Sequence, residues 1–401
     1  MTIVGRCVVA LFLLITFSCV AVAADPLPAP IKRGLRVTWD SGDSIVHGVE
    51  QAMKPDPEGN YVDPKTGQRY TPQDLKNSGG VGYTQFDFVH AAPELVVADI
   101  RNYQVTDPAN RICSLQGATA LVGNGDALGE YWVNPARLAK MTDGKAADGS
   151  LVSHVKYSIR DKAYDGVSIV RESPSQYLSL IYEVQTGLLL SRSSSVIGDS
   201  PIGAYRGAPT NAPARGAAQI SHSRLITWRE VKAPWAADPA PAFAKAGMQL
   251  EYQGQYRAVT QAGALPGLAI SFSFAADKAA GSCVVGNMRV RSDIGPGLPP
   301  QESTMPRVYG SSLLINSWIA PATIQKLKAG QVIDEDPVTR YRLTFNGVQG
   351  NGAVFTEQGP AEQFTYTYDM QKDGVLAAIS NTQSVANFGQ RQTQLQLVGR
   401  R

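Results

Sequence analysis

The sequence predicts a mostly β protein made of two tandem homologous domains, each a curled antiparallel sheet around one short helix. Three observations lead there: short apolar–polar alternation in most segments, one helix-start motif written twice, and a constant spacing between matching residues of the two copies.

Alternation comes first. "YTQFDFV" from 83, "HVKYSI" from 154, "YLSLIYEV" from 177, "RLTF" from 342 and "QFTYTYDM" from 363 each place apolar side chains on one face of an extended chain. Asp165-Gly166, Thr186-Gly187 and Asp373-Gly374 are hairpin signals, because glycine supplies the positive φ such turns require. Sequential strands are therefore expected to be antiparallel neighbours.

The helix motif comes second. "WVNPARLAKMTDG" (Trp132–Gly144) returns as "WIAPATIQKLKAG" (Trp318–Gly330), a spacing of 186 residues. Asn134 is an N-cap, and Pro135 suits the first helical position, where a missing N–H has no intrahelical partner to lose. Val133 and Leu138 form a hydrophobic staple, and Gly144 is expected to end the helix. Ile319, Pro321, Ile324 and Gly330 repeat the pattern, although Ala320 cannot cap.

The spacing comes third. The same 186 residues carry Gly166 to Gly352 and Tyr182 to Tyr368; a spacing of 185 upstream matches Gly82 with Gly267 and Asn102 with Asn287. "GLRVTW" from 34 corresponds to "GMQLEY" from 247. Domain 1 is thus read as residues 24–232, with a polar insertion at about 49–81 and a loop at 198–219. A Pro- and Ala-rich linker at 233–246 leads to domain 2 at 247–401. With about eight strands per copy, one helix cannot cover a flat sheet. A half-barrel or open barrel around the helix is expected, the alternative being a sandwich with the helix as connector.

Residues 1–23 read as a secretory signal: Arg6, the apolar "VVALFLLITF" and the small-residue site "AVA" ending at Ala23. The apolar run is short for a bilayer span, and Thr16, Phe17 and Ser18 make a poor lipidation signal before Cys19. The expected location is periplasmic or extracellular. With 37 Lys and Arg against 34 Asp and Glu, and Arg6 leaving with the signal, the net charge near +2 favours no nucleic acid partner. No later apolar run is long enough to span a membrane as a helix. Cys113 and Cys283 remain after processing, as a disulfide joining the copies or as two buried thiols.

The segment "LIYEVQTGLLLSRSSS" resembles the hairpin of periplasmic lipoprotein-carrier-like half-barrels. That resemblance implies a curled antiparallel sheet with an apolar ligand, such as a lipid, in its concavity. It covers one hairpin per copy and transfers no site residue.

Candidate chemistry is sparse. "DSGDSIVHG" is similar to the Gly-Asp-Ser block of one esterase class, with Ser44 as nucleophile, but the last histidine, His222, is far from the C-terminus. His47, His90, His154 and His222 show no metal-ligand spacing. Asp56, Glu58, Asn60 and Asp63 have the alternation of a calcium loop, yet Tyr61 stands where glycine is required. The expectation is an exported binding protein without catalytic residues, cofactor or metal. A structural envelope component that binds other proteins is the alternative, and a hydrolase using Ser44 the third reading. An open apolar concavity favours ligand carriage, and a packed one favours scaffolding.

Overall fold

The structure is a computed structural model that describes residues 30–56, 59–71, 74–75, 79–199, 216–260, 263–295, 297–385 and 389–401. Residues 1–23, read from sequence as a signal, Glu58 and residues 200–215 of the long loop lie outside them.

Two large antiparallel sheets dominate. The first contains β1 (Leu35–His47), β2 (Gly79–Ala92), β3 (Leu95–Asp107), β4 (Ile112–Gly123), β5 (Gly144–Lys145), β6 (Leu151–Ile159), β7 (Lys162–Ser173), β8 (Gln176–Glu183), β9 (Leu189–Asp199) and β10 (Gly216–Glu230). The second contains β11 (Gln249–Thr260), β12 (Leu268–Ala280), β13 (Cys283–Ser292), β14 (Gln301–Gly310), β15 (Gln331–Glu335), β16 (Arg342–Gln349), β17 (Gly352–Gln358), β18 (Glu362–Asp369), β19 (Val375–Val385) and β20 (Gly389–Arg400). The first sheet runs in the order β5-β6-β7-β8-β9-β10-β1-β2-β3-β4. The second repeats it strand for strand, as β15-β16-β17-β18-β19-β20-β11-β12-β13-β14. The fold class is the expected one, a β-rich chain with curled antiparallel sheets.

Even the irregularities repeat. A bulge after Thr38 in β1 recurs after Glu251 in β11; one between Phe88 and His90 recurs between Ala276 and Lys278; one at Tyr182 recurs at Tyr368. A bulge bends its strand and increases local twist, so matched bulges give the two sheets the same curl.

Pairing also corrects part of the sequence register. Val37 faces Phe86 and Leu250 faces Phe274, so the counterpart of Phe86 is Phe274. Through the next pairing Asn102 corresponds to Val290, not Asn287. The expected spacing of 185 is three residues short in β2 and β3. An odd slip turns every side chain to the other face, and the buried aromatic faces decide against it.

The helices are shorter than expected. α1 (Pro135–Leu138) and α2 (Pro321–Ile324) are single turns with Pro at their starts; Asn134 accepts from Ala136 N, and Ala320 makes no side-chain cap. Neither Gly144 nor Gly330 ends a helix: Gly144 opens β5, and Gly330 donates its N–H to Phe345 O. Leu138 with Val133, and Ile324 with Ile319, are buried in the core beneath each sheet. Glycine at the following turn fixes how the chain enters. Gly187 (φ +72°) accepts from Val133 N and Gly374 (φ +66°) accepts from Ile319 N, and a Cβ there would lie 1.8 Å and 1.7 Å from those residues' carbonyl oxygens.

The polar insertion folds into a small sheet of Lys54–Pro55, Tyr61–Val62 and Arg69–Tyr70. Met53, Tyr61 and Leu75 anchor it on Val46, Ala218 and Ile220. The Pro- and Ala-rich linker is also anchored. Trp235 is buried, donates Nε1 to Leu313 O (2.8 Å) and packs edge-on against Phe355.

The two halves meet along β2–β4 and β12–β14. Val89, Val97 and Ala120 pack with Ala280, Val285, Val308 and Leu313. Cys283 belongs to this cluster, whereas Cys113 packs with Tyr103 and Tyr341. Both cysteines are buried free thiols, so the disulfide weighed from sequence is not formed. Each sulfur instead donates to a carbonyl, Thr339 O from Cys113 (3.3 Å) and Ala280 O from Cys283 (3.0 Å).

Candidate functional site

Equivalent backbone bonds superimpose the two concavities. Leu189 N donates to Tyr131 O (3.0 Å), and Leu376 N donates to Ser317 O (2.8 Å). Around them Trp39 Nε1 donates to Leu189 O and Tyr252 OH to Leu376 O; Tyr182 OH donates to Glu130 O and Tyr368 OH to Asn316 O. The central residue does not repeat. In the first half the Tyr131 ring fills the concavity, its centroid 5.1 Å from Trp39 and 4.3 Å from Phe86. In the second half the corresponding residue is Ser317, too small to reach across.

Ser317 borders a cleft of about 360 Å³, within the size range of small-molecule sites. Inward-facing residues of adjacent strands build its wall: Phe272 and Phe274 on β12, Met288 and Val290 on β13, Met305 and Tyr309 on β14. Phe274, Met288 and Met305 form one cross-strand ladder. Tyr252, Leu376 and Ile379 continue the apolar surface, and residues 115–118 of β4 cover it from the first half.

Part of the lining is polar. Asp99 and Arg101 reach the cleft from β3, Arg307 from β14, Glu357 from β17, and Asn316 and Asn381 from the second half's rim. Arg101 donates to Glu357 (2.8 Å), whose other oxygen accepts from Tyr366 OH (2.9 Å). Burial raises the Asp99 carboxyl above the ordinary carboxylate range, against the opposing pull of Arg307 and Arg101. Those arginines stand 3.7 Å and 3.8 Å away, beyond hydrogen-bonding distance. Four buried polar atoms here lack a partner: Asp99 Oδ1, Arg307 Nε, Asn316 Nδ2 and Asn381 Oδ1.

The first half treats the same positions differently. Glu130, Arg192 and Ser194 correspond to Asn316, Ile379 and Asn381, and there Arg192 is consumed by Glu130 (2.7 Å), Ser194 (2.9 Å) and Ser221 (2.5 Å). A polar recess of about 380 Å³ is left outside Tyr131. Larger recesses of about 620 Å³ and 600 Å³ are rimmed by exposed charged residues such as Arg111, Arg160 and Arg224, or Lys140 and Arg171, and the second of them also has Val133, Met141, Val152, Ile169 and Leu180 in its wall.

An ionic clamp beside the cleft holds the halves together. Arg36 donates to both oxygens of Asp87 (2.6 Å each) and reaches Asp334 and Asp336 across the junction (3.4 Å each). Arg229 grips Asp334 through two bonds of 2.7 Å and 2.6 Å. Gln85 donates to Asp336 (3.0 Å), while Tyr341 OH and Leu115 N both donate to Glu362.

The residues singled out from sequence lie elsewhere. Ser44 is buried, and its hydroxyl donates to Leu75 O (2.7 Å), tying down the insertion. Asp56 accepts from Asn60, and Asp63 from Lys65 and Thr66, so these carboxylates close their own turns. His154 faces Asp143 at the surface, and the His222 ring lies over Gly42. Among the described residues no group of three or more His, Cys, Asp or Glu could hold a metal ion. Nor, among them, is any helix long and apolar enough to cross a membrane. Trp132 and Trp318 are buried beneath the sheets, Trp132 donating Nε1 to Thr186 O (2.9 Å). The cleft itself was missed. Its one sequence signal is the residue just before each motif, Tyr131 against Ser317.

Fold and cleft together define a duplicated curled-sheet protein in which the Tyr131 ring occupies one concavity and an apolar cleft remains in the other. No protein-family model matches the chain, and no curated protein matches it. A solved structure from Nitrosomonas europaea, provisionally named AttH, is similar over 90% of this chain and 92% of its own, at 10% identity and a TM-score of 0.14. That likeness carries neither fold nor function to this chain.

Proposed function

We propose that this chain is an exported, non-catalytic binding protein that holds an apolar molecule in the concavity of its second sheet. The observation that supports this reading is Ser317 standing where the Tyr131 ring occupies the first concavity: the second half is left with a cleft walled by Phe272, Phe274, Met288 and Met305, whereas the matching recess of the first half is lined by Thr84, Asn102 and Arg192. Burying apolar surface there would stabilise a complex by about 25 cal/mol per Å² before the costs of association. The first half contributes a packed platform and, through β4, one wall of the cleft. Export rests on the reading of residues 1–23 as a cleaved signal.

Titration with the neutral dye N-phenylnaphthylamine tests the proposal. Saturable fluorescence enhancement at one site per chain is expected from the wild type, and Ser317→Tyr should remove it while the protein stays folded. Gly117→Leu offers a second block from the opposite wall, because a Cβ at Gly117 meets open space. Absence of saturable binding, or full binding in both variants, would sink the proposal.

A further inference from the structure

Four unpartnered atoms of the cleft lining bear on the polar part of its ligand. Two are acceptors, Asp99 Oδ1 and Asn381 Oδ1, and two are donors, Arg307 Nε and Asn316 Nδ2. Asn316 and Asp99 are almost wholly buried, at 1% and 2% exposure, so bulk water does not satisfy them freely. A buried polar group left unpaired costs about 1–3 kcal/mol, and four around one cleft favour a ligand that answers both kinds.

Charge narrows the choice. Two carboxylates, Asp99 and Glu357, and two guanidiniums, Arg101 and Arg307, line the cleft as one linked set, so formal charge balances without a ligand. A carboxylate head would meet Arg307 and Asn316 but also the oxygens of Asp99 and Glu357. An ammonium head would meet Asp99 and Asn381 but also both guanidiniums. A hydroxyl or primary amide donates to one set, accepts from the other and adds no charge to a desolvated site. Resting on the reading of the cleft as an apolar-ligand site, we infer that its ligand is an apolar molecule ending in a neutral group that both donates and accepts hydrogen bonds.

A matched series tests the inference by displacement of N-phenylnaphthylamine: decanol, decanamide, decanoate and decylammonium, with decane as the headless control. Decanol and decanamide are expected to displace the dye at concentrations about tenfold below the other three. Asp99→Asn, which keeps side-chain shape and removes a carboxylate, should leave decanol within about threefold and bring decanoate closer to it. Equal affinities across the series, or an unchanged decanoate-to-decanol ratio in Asp99→Asn, would overturn the inference while leaving the apolar site standing. Failure of the dye and of every series member to bind would remove the site itself.

Discussion

Tyr131 and Ser317 occupy one position of a duplicated fold, each accepting through its carbonyl the N–H of a leucine, Leu189 or Leu376, and they leave different results: a concavity occupied by an aromatic ring beside a polar recess, and one left as an apolar cleft. The difference predicts the converse of the blocking variant. Tyr131→Ser removes the ring packed on Trp39 and Phe86 and should cost about 2–4 kcal/mol, the range for truncating a large core side chain. It should also create a second dye site in a protein that still has the first. Urea unfolding and dye stoichiometry measure the two effects separately. Unchanged stability would mean that Tyr131 does not hold the first concavity closed.

Gly187 and Gly374 predict a symmetric effect. Each sits at positive φ, and each would drive a Cβ into a carbonyl oxygen of the helix-start motif. Alanine at either position should lower stability by at least about 1–3 kcal/mol, through left-handed strain plus the steric clash. Thermal unfolding of the two single variants should therefore give losses of similar size. If only one loses stability, the two turns are not equivalent.

How much of this was legible follows the same contrast between repetition and difference. The helix-start motif showed itself because Pro135 and Pro321, with Gly187 and Gly374, meet a geometric demand that few other residues satisfy. The strands around it showed through alternation, since each has one buried face. The register of β2 and β3 did not, because an isolated identity such as Asn102 with Asn287 weighs little against the buried Phe86 and Phe274 faces, and those emerge only when strands pair. The cleft was hidden for a deeper reason: a search for repeats rewards identity, whereas the open concavity arises at Ser317, where the copies diverge. Arg36, Asp87 and Asp336 carry no local pattern at all. Pairing of β1 with β2 and the turn that follows β15 bring them together.

Cys113 and Cys283 predict chemical silence. Burial pushes both thiols up to about 12, and the thiolate is the reactive form. In protein expressed from Ala24 onward, which lacks Cys7 and Cys19, Ellman's reagent should leave the native protein unlabelled and titrate two thiols after denaturation. Intact mass under non-reducing conditions should match the fully reduced chain. A mass lower by two hydrogens would place the cysteines in a bridge and contradict their separate packing.

Arg36 and Asp87 predict an asymmetry of removal. Arg36→Met leaves Asp87 and Asp336 buried beside a lost cation and should cost about 3–5 kcal/mol, as breaking a buried pair does. A double change of Arg36 and Asp87 to apolar residues of similar volume should be milder than that single change, because no orphaned partner remains at Asp87. Chemical denaturation of the singles and the double gives the comparison. A double variant less stable than either single would assign the pair a net favourable role.

Asp336 sets an acid limit on the junction. Burial alone would raise its carboxyl, but Arg36, the N–H of Thr339 and Arg229 outweigh burial and hold it at about 2. The sign follows from linkage: a carboxyl depressed in the folded state stabilises fully above its unfolded value, near 4, and that contribution disappears as pH falls toward about 2. The difference corresponds to about 2 kcal/mol at neutral pH. Asp99 has the opposite sign, because its raised carboxyl holds a proton longer in the folded chain and costs stability as pH rises above the unfolded value. The total pH profile therefore mixes the two, and single variants separate them. Asp336→Asn should unfold at lower urea than the wild type near pH 7, with the gap narrowing between about pH 4 and pH 2. Asp99→Asn should match or exceed the wild type near pH 7 and lose that advantage on acidification. A gap for Asp336→Asn that stays constant down to about pH 2 would mean that Arg36 and Arg229 do not depress this carboxyl.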